Sequence, residues 1–114
     1  MSRNNQAPAL SPAQESAVYA AGQCVVETHR RLSAWLRAGL TLAEIDAFVA
    51  DTLAELDCRS CFIGYRIPRH GPFPNHACLS VNECVVHGTS DSYTAPLRPG
   101  DVLKIDIGVT HQGW

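Results

Sequence analysis

Residues 102–109, which read VLKIDIGV, contain the clearest β-strand pattern in this chain. Apolar and polar side chains alternate along this segment, and in a strand such alternation places the two kinds on opposite faces. Lys104 and Asp106 lie on one face, so the pattern predicts a strand with a carboxylate inside it. The other face, which is expected to pack on a core, carries Leu103, Ile105, Ile107 and Val109.

Two amphipathic helices are predicted upstream of this strand. The segment SPAQ at 11–14 has the form of a capping box with proline in the first helical position, and Gly39 is a natural stop for that helix. The segment TLAE at 41–44 is a second capping box, which begins a helix that runs to about Asp57. Its apolar residues recur at spacings of three and four: Leu42, Ile45, Val49, Leu53 and Leu56. The two helices are predicted to form a hairpin that can cover one side of a sheet.

The region between the helices and the strand contains short apolar runs and many turn residues. Residues 62–65 (FIGY) are a strand candidate, and a loop rich in proline and glycine follows them. Residues 77–81 and 84–86 are two further short apolar runs. The segment 1–11 is predicted to be a disordered leader, and residues 12–114 to be one domain.

The composition excludes several classes of protein. The chain has 114 residues, of which 46% are hydrophobic and 18% charged, as is typical of one soluble domain. Nine basic and eleven acidic residues give a net charge of -2, which argues against nucleic acid as a partner. No apolar run approaches the length of a membrane span, and residues 1–6 lack a signal-peptide pattern, so we expect a cytoplasmic protein with no membrane partner. In that compartment the five cysteines are expected to be reduced.

Asp106 and His87 are the candidates for chemistry. An aspartate inside a strand is unfavourable, because an ionised carboxylate in a sheet interior needs a cation or hydrogen-bond donors. Asp106 either faces solvent or pairs with Lys104, or it serves as a metal ligand or catalytic carboxylate. His87 follows the apolar run at 84–86, where a strand end would place it at the rim of a sheet. It is either a hydrogen-bonded structural residue or a group that reaches a substrate.

Cys58 and Cys61 have the CxxC spacing of many zinc sites, and His70 and His76 follow them. Eight residues separate Cys61 from His70, whereas a finger with two cysteines and two histidines has about twelve or more at this point. The loop between them is also stiffened by prolines, so the pattern is weak evidence for zinc. A thioredoxin-like redox pair is weaker still, because no strand–CxxC–helix pattern surrounds the cysteines.

Three segments together resemble one family. They are FPNHACLSVNE at 73–83, VVHG at 85–88 and LRPGDVLKIDIG at 97–108, and in combination they are similar to the type I methionine aminopeptidases. The resemblance extends over about residues 12–114. It implies an α+β architecture, the N-terminal half of a pita-bread fold with two helices packed on an antiparallel sheet.

The resemblance also implies an activity, the metal-dependent hydrolysis that removes the initiator methionine from nascent proteins. It assigns Asp106 as a metal ligand and His87 as a catalytic residue that contacts the substrate near the scissile amide. It places Tyr65 and Cys78 near the pocket for the methionine side chain. The implied cofactors are two divalent ions (Co, Mn, Fe or Zn) that activate water and polarise the scissile carbonyl. The implied partners are the N-terminus of a nascent polypeptide and, in the cell, the ribosome.

Most of the ligands implied by the resemblance are not among these residues. The family's second Asp, one His and two Glu are expected beyond Trp114, so the sequence is expected to correspond to the N-terminal part of the enzyme and to be inactive alone. Two alternatives from other classes stay open. One is a non-enzymatic pita-bread binding module, and the other is a small zinc-binding interaction domain built on Cys58 and Cys61.

Overall fold

The computed structural model of the protein describes residues 7–114. Within this range the chain forms two helices, α1 over Pro12–Trp35 and α2 over Leu42–Glu55. The strands of the same range are short, and in chain order they are β1 Cys58–Ser60, β2 Arg66–Ile67, β3 Gly71–Pro72, β4 Cys78–Val81, β5 Leu103–Asp106 and β6 Val109–His111.

Both helices begin at the predicted capping boxes. The hydroxyl of Ser11 accepts a hydrogen bond from the Gln14 amide at 3.2 Å, and the Gln14 side chain accepts one from the Ser11 amide at 2.8 Å. Thr41 and Glu44 make the same reciprocal pair at the start of α2. Each box satisfies donors that the first turn of a helix would otherwise leave without a partner.

The predicted end of α1 at Gly39 is wrong, since the helix ends four residues earlier. Leu36 already has an extended ψ of 138°. The Gly39 amide donates to the Leu97 carbonyl at 2.7 Å, and the Leu97 amide donates to the Leu40 carbonyl at 2.8 Å. The chain leaves the helix early because this distant pairing places Leu40 in the core.

The strands form three antiparallel two-stranded ladders, β1–β6, β2–β3 and β4–β5. In the first ladder Cys58 lies opposite His111, and in the third Cys78 lies opposite Asp106. Helix α1 contacts β6, and helix α2 contacts β1. The prediction of two helices on antiparallel strands is therefore confirmed, although the strands are divided among separate ladders.

The strand predicted over 102–109 is interrupted. It forms β5 and β6, with Ile107 and Gly108 between them, because the first part pairs with β4 and the second with β1. Its apolar face is as predicted and packs against the core through Leu103, Ile105, Ile107 and Val109.

Two of the other short apolar segments are not strands. Residues 62–65 form a turn, in which the Ser60 hydroxyl accepts from the Phe62 amide at 3.0 Å and Gly64 has a φ of 77°. Residues 84–86 also form no strand, and Val85 is 75% exposed. Residues 84–86 have no ladder partner. Residues 62–65 close a turn, after which Gly64 and Tyr65 form backbone hydrogen bonds with Phe73.

The core lies between α2 and the strands. It includes the predicted face of α2, with Leu42, Ile45 and Val49 fully buried, and the central residues of β4. The disordered leader predicted over 1–11 lies partly outside the described residues; residues 7–10 are exposed and form no helix or strand. Neither described helix has the length and apolar character needed to cross a membrane.

Candidate active site

A cavity of about 870 Å³ opens between the loop 61–74 and the ladder of β4 and β5. All four residues singled out from the sequence line it, namely Tyr65, Cys78, His87 and Asp106. The register of the ladder is the reason that two of them meet, since Cys78 on β4 lies directly opposite Asp106 on β5.

Asp106 presents a free carboxylate to this cavity. Its side chain is exposed, and no ion pair involves it in the part of the chain that the structure describes. The predicted alternative, a pair with Lys104, is wrong because the Lys104 ammonium donates to the Asn82 carbonyl at 2.7 Å. A carboxylate oxygen without a protein cation is a suitable ligand for a divalent metal ion.

Cys78 forms a buried part of the cavity wall. Its side chain is only 6% exposed, and burial together with the charge of Asp106 raises the pKa of its thiol. Cys78 therefore stays protonated at neutral pH and acts as a small apolar group, not as a nucleophile.

His87 is placed by its neighbour Gly88 and not by the end of a strand. The Gly88 amide donates to the Ser80 hydroxyl at 3.0 Å, and the Gly88 carbonyl accepts from the Leu79 amide at 2.9 Å. Both hydrogen bonds hold residues 87–88 against β4. His87 itself has a left-handed φ of 59°. The imidazole is thereby held at the cavity while remaining exposed.

Gly88→Ala is expected to destabilise the fold and displace His87. An added Cβ would lie 2.7 Å from the Leu79 carbonyl carbon and 2.8 Å from the Ser80 Cα, and these backbone atoms cannot move without breaking β4. We expect the free energy of unfolding to fall by about 3 kcal/mol, at the upper end of overpacking effects. Unfolding in urea measures this change in the free energy of unfolding. The matched control is Gly22→Ala on α1, where no atom lies within 4 Å of an added Cβ and a gain of about 0.5–1 kcal/mol is expected.

Asp46 on α2 fixes the start of β4, and the sequence patterns did not single it out. Its carboxylate, only 8% exposed, accepts from the amides of His76 and Ala77 at 2.9 and 3.0 Å. It also contacts the His76 Nδ1 at 2.9 Å. The signal that could have found Asp46 is its position in the apolar stripe of α2, one residue after Ile45, where a carboxylate needs donors.

A second polar contact joins the region before β4 to the chain that follows His87 and Gly88. Asn75 is 1% exposed; its amide group donates to the Ser90 hydroxyl at 3.2 Å and its carbonyl accepts from the Ser90 amide at 3.2 Å. Asn75 precedes β4, and Ser90 follows residues 87–88. The pair therefore limits how far residues 87–88 can move away from the cavity.

Aromatic and aliphatic side chains form the opposite wall. Phe62 and Phe73 pack edge to face, with ring centroids 6.3 Å apart, and Ile67 lies beside them. The turn at 62–65 places Phe62 in this wall, a position that the strand predicted for these residues did not indicate. The cavity thus combines an apolar wall with one carboxylate, Asp106, and two exposed imidazoles, those of His70 and His87.

The predicted zinc ligands do not come together. His76 contacts Asp46, His70 lines the cavity, and Cys61 lies 3.5 Å from the Thr110 hydroxyl. Cys58 lies close to Cys24 and His111, and Cys61 is not part of that group. The CxxC spacing therefore does not describe a metal site in this fold.

The fold and the cavity belong to a known class of metallopeptidase. Residues 16–114 match the model of metallopeptidase family M24, and the chain belongs to that family.

Similar proteins within this class carry the name methionine aminopeptidase. The one from Helicobacter pylori is 33% identical over 104 residues, which cover 91% of this chain and 38% of the relative. Methionine aminopeptidase 1D, chloroplastic/mitochondrial, of Arabidopsis thaliana is 38% identical over 79 residues, which cover 69% of this chain and 21% of the relative. The resemblance stated from the sequence motifs is confirmed.

Solved structures agree with these matches. The methionine aminopeptidase of Thermotoga maritima superposes with a TM-score of 0.78 at 27% identity, over 91% of this chain and 39% of that one. The fold is shared with the enzyme of Rickettsia prowazekii, with a TM-score of 0.83 at 22% identity over 94% and 40% of the two chains. The predicted N-terminal half of a pita-bread fold is thus confirmed. The chain spans about two-fifths of the length of these structures.

Proposed function

We propose that this chain provides the substrate cavity and one metal-binding carboxylate of an aminopeptidase that removes the N-terminal methionine from nascent proteins. The observation that carries the proposal is the convergence of Tyr65, Cys78, His87 and Asp106 on one cavity, in a chain of the M24 family. The names of the relatives support the choice of methionine as the residue removed.

Membership of a metallopeptidase family implies metal ions, and the cavity offers a fitting ligand. Asp106 supplies hard carboxylate oxygens on the cavity surface, and no protein cation pairs with them among residues 7–114. We propose two divalent ions, of Co, Mn, Fe or Zn, with Asp106 as a ligand. When bound, such ions supply Lewis-acid activation of water and of the scissile carbonyl.

The other residues of the cavity bind and orient the substrate. His87 donates a hydrogen bond to the substrate near the scissile amide, because its imidazole is exposed to the cavity and its backbone is held on β4. Tyr65 and Cys78 contact the methionine side chain, together with the wall formed by Phe62 and Phe73. Aromatic rings suit this side chain, since a thioether sulfur makes favourable contacts with them.

The test compares the 114-residue chain with a chimera that joins it to the remaining length of the Helicobacter pylori relative. Among the described residues Asp106 is the single carboxylate lining the cavity, and bridging two ions requires several, so the chain alone is expected to be inactive. The folded chimera should hydrolyse Met-Ala-Ser, should act far more slowly on Lys-Ala-Ser, and should lose activity with a chelator. Hydrolysis that is insensitive to the chelator, or a folded chimera that lacks activity, would contradict the proposal.

The cellular setting follows from the proposed substrate. We propose that the protein acts in the cytoplasm on chains that emerge from the ribosome, since the initiator methionine is exposed there first. Recovery of the chimera with translating ribosomes, compared with ribosomes stripped of nascent chains, would support this setting.

A further inference from the structure

A second cluster of chemically competent side chains lies outside the cavity. Cys24 on α1, Cys58 on β1 and His111 on β6 place three potential ligand atoms within 4.8 Å of one another. Cys58 and His111 are opposite each other in the β1–β6 ladder, and α1 packs against β6. None of the three lines the cavity, so the cluster is separate from the proposed catalytic site.

We propose that Cys24, Cys58 and His111 form a zinc-binding site that joins helix α1 to the β1–β6 ladder. The cluster consists of two sulfur donors and one imidazole, which is a ligand set that zinc prefers and that calcium and magnesium do not. The proposal does not rest on the assignment of the aminopeptidase activity.

The distances agree with tetrahedral coordination. Zinc bonds of about 2.3 Å to sulfur and 2.0–2.1 Å to nitrogen, at a tetrahedral angle, separate the two ligand atoms by about 3.6 Å. The Cys58 Sγ lies 3.6 Å from the His111 Nδ1. The His111 Nδ1 also lies 3.1 Å from the Asp57 carbonyl, so zinc takes the place of that contact. The spacing between Cys58 and His111 already suits the ion.

The backbone around the cluster is well fixed. The amide of His111 donates to the carbonyl of Trp114, and the amide of Trp114 donates back at 2.9 Å. Gln112 and Gly113, between them, both have a left-handed φ, as in a two-residue hairpin turn. Cys58 is paired in the ladder, so two of the three ligands are preorganised.

The exposure of the ligands indicates the type of site. Cys58 is 7% exposed, whereas Cys24 and His111 are half-buried, so solvent reaches one side of the cluster. Three protein ligands leave a fourth tetrahedral position, which we assign to water. In the chain without metal, burial, followed by the hydrogen bond to Cys24, raises the pKa of Cys58 to about 12, so this thiol stays protonated at neutral pH. Binding of zinc therefore releases the proton of the Cys58 thiol to solvent.

The test is a titration of the full 114-residue chain with Co²⁺, a spectroscopic substitute for zinc, under reducing and anaerobic conditions. We expect one cobalt ion per chain with a thiolate-to-cobalt charge-transfer band and the intense visible bands of tetrahedral cobalt. Stoichiometric Zn²⁺ should displace the cobalt and abolish both signals. Zinc should also raise the melting temperature, because it binds only the folded arrangement of the three elements.

Single substitutions distinguish this site from other cysteine chemistry. Cys24→Ser and His111→Ala should each weaken cobalt binding by about 10- to 100-fold or more, because loss of a ligand weakens metal binding at least as much as loss of a residue that orients a ligand. The matched control, Cys84→Ser, removes a thiol outside the cluster and should leave the spectrum unchanged. Asp106→Asn should also leave the charge-transfer band unchanged, which separates this site from the proposed catalytic one.

Three results would overturn the proposal. One is a reduced, folded chain that shows no charge-transfer band at millimolar cobalt. A second is a band that survives in both Cys24→Ser and His111→Ala, with circular dichroism showing that the variants are folded. The third is a Cys24–Cys58 disulfide that forms in air in a chain that binds no metal when reduced.

Discussion

Asp106→Asn in the chimera is expected to abolish most aminopeptidase activity and to weaken the binding of one metal ion. The substitution keeps the size of the side chain but removes the negative charge that the cavity offers to a cation. No other charged group of the described residues depends on this carboxylate for an ion pair, so the fold should be unaffected. A loss of turnover of about 10- to 100-fold or more is expected, because loss of a ligand lowers activity at least as much as loss of a residue that orients a ligand.

The measurement combines turnover of Met-Ala-Ser with metal content after dialysis. Asp51→Asn is the matched control, because Asp51 is an exposed aspartate of α2 that does not line the cavity. Unchanged turnover and unchanged metal stoichiometry in Asp106→Asn would show that this carboxylate is not a ligand.

His87→Ala in the same chimera is expected to lower kcat far more than it alters metal content. The imidazole is exposed at the cavity, and we propose that it donates to the substrate as charge develops on the reacting amide. Removing one donor of this kind costs about 2.7–4 kcal/mol, which corresponds to a fall of about 10²–10³ in kcat. Steady-state kinetics and metal analysis of the same preparation measure the two quantities together.

Two further variants separate the imidazole from its backbone. His87 has a left-handed φ of 59°, which alanine adopts less readily than asparagine does. His87→Asn should therefore show the same loss of kcat without the added strain. His29→Ala, at an exposed position of α1, is the control and should leave kcat and metal content unchanged. Loss of metal from folded His87→Asn would make His87 a ligand and would refute its proposed role.

The elements predicted correctly from the sequence are those that depend on near neighbours. Both capping boxes are formed by residues three positions apart, and the buried face of α2 repeats within each turn. The alternation of apolar and polar residues along 102–109 likewise involves only neighbouring positions. Such patterns can be read from the sequence because the residues that form them lie within one or two turns, or alternate along one strand.

The errors occur where a distant partner decides the local conformation. The end of α1 depends on the pairing of Leu40 with Leu97, and the interruption of the segment 102–109 depends on two different partner strands. Residues 84–86 have the composition of a strand but no ladder to join. Apolar composition indicates which segments can form strands, but hydrogen-bond partners far along the chain determine which of them do.

The candidate residues of the site show the same division. The motifs around His87 and Asp106 allowed four cavity residues to be named through a family resemblance, and their chemical roles stay predictions. Their convergence follows from the register of β4 with β5 and from Gly88, whose missing side chain permits contact with Leu79. Neither the register of the two strands nor the close contact at Gly88 produces a repeating pattern in the sequence.

The sequence alone was sufficient for the family, for both helix starts and for the apolar face of the strand at 102–109, because short-range spacing and a specific motif carry that information. The buried contacts of Asp46 and the cluster of Cys24, Cys58 and His111 became visible only in three dimensions. Cys58 and His111 are 53 positions apart, yet their ligand atoms are separated by 3.6 Å. Burial and ligand geometry depend on distances through space, which are set only when the helices pack on the ladders.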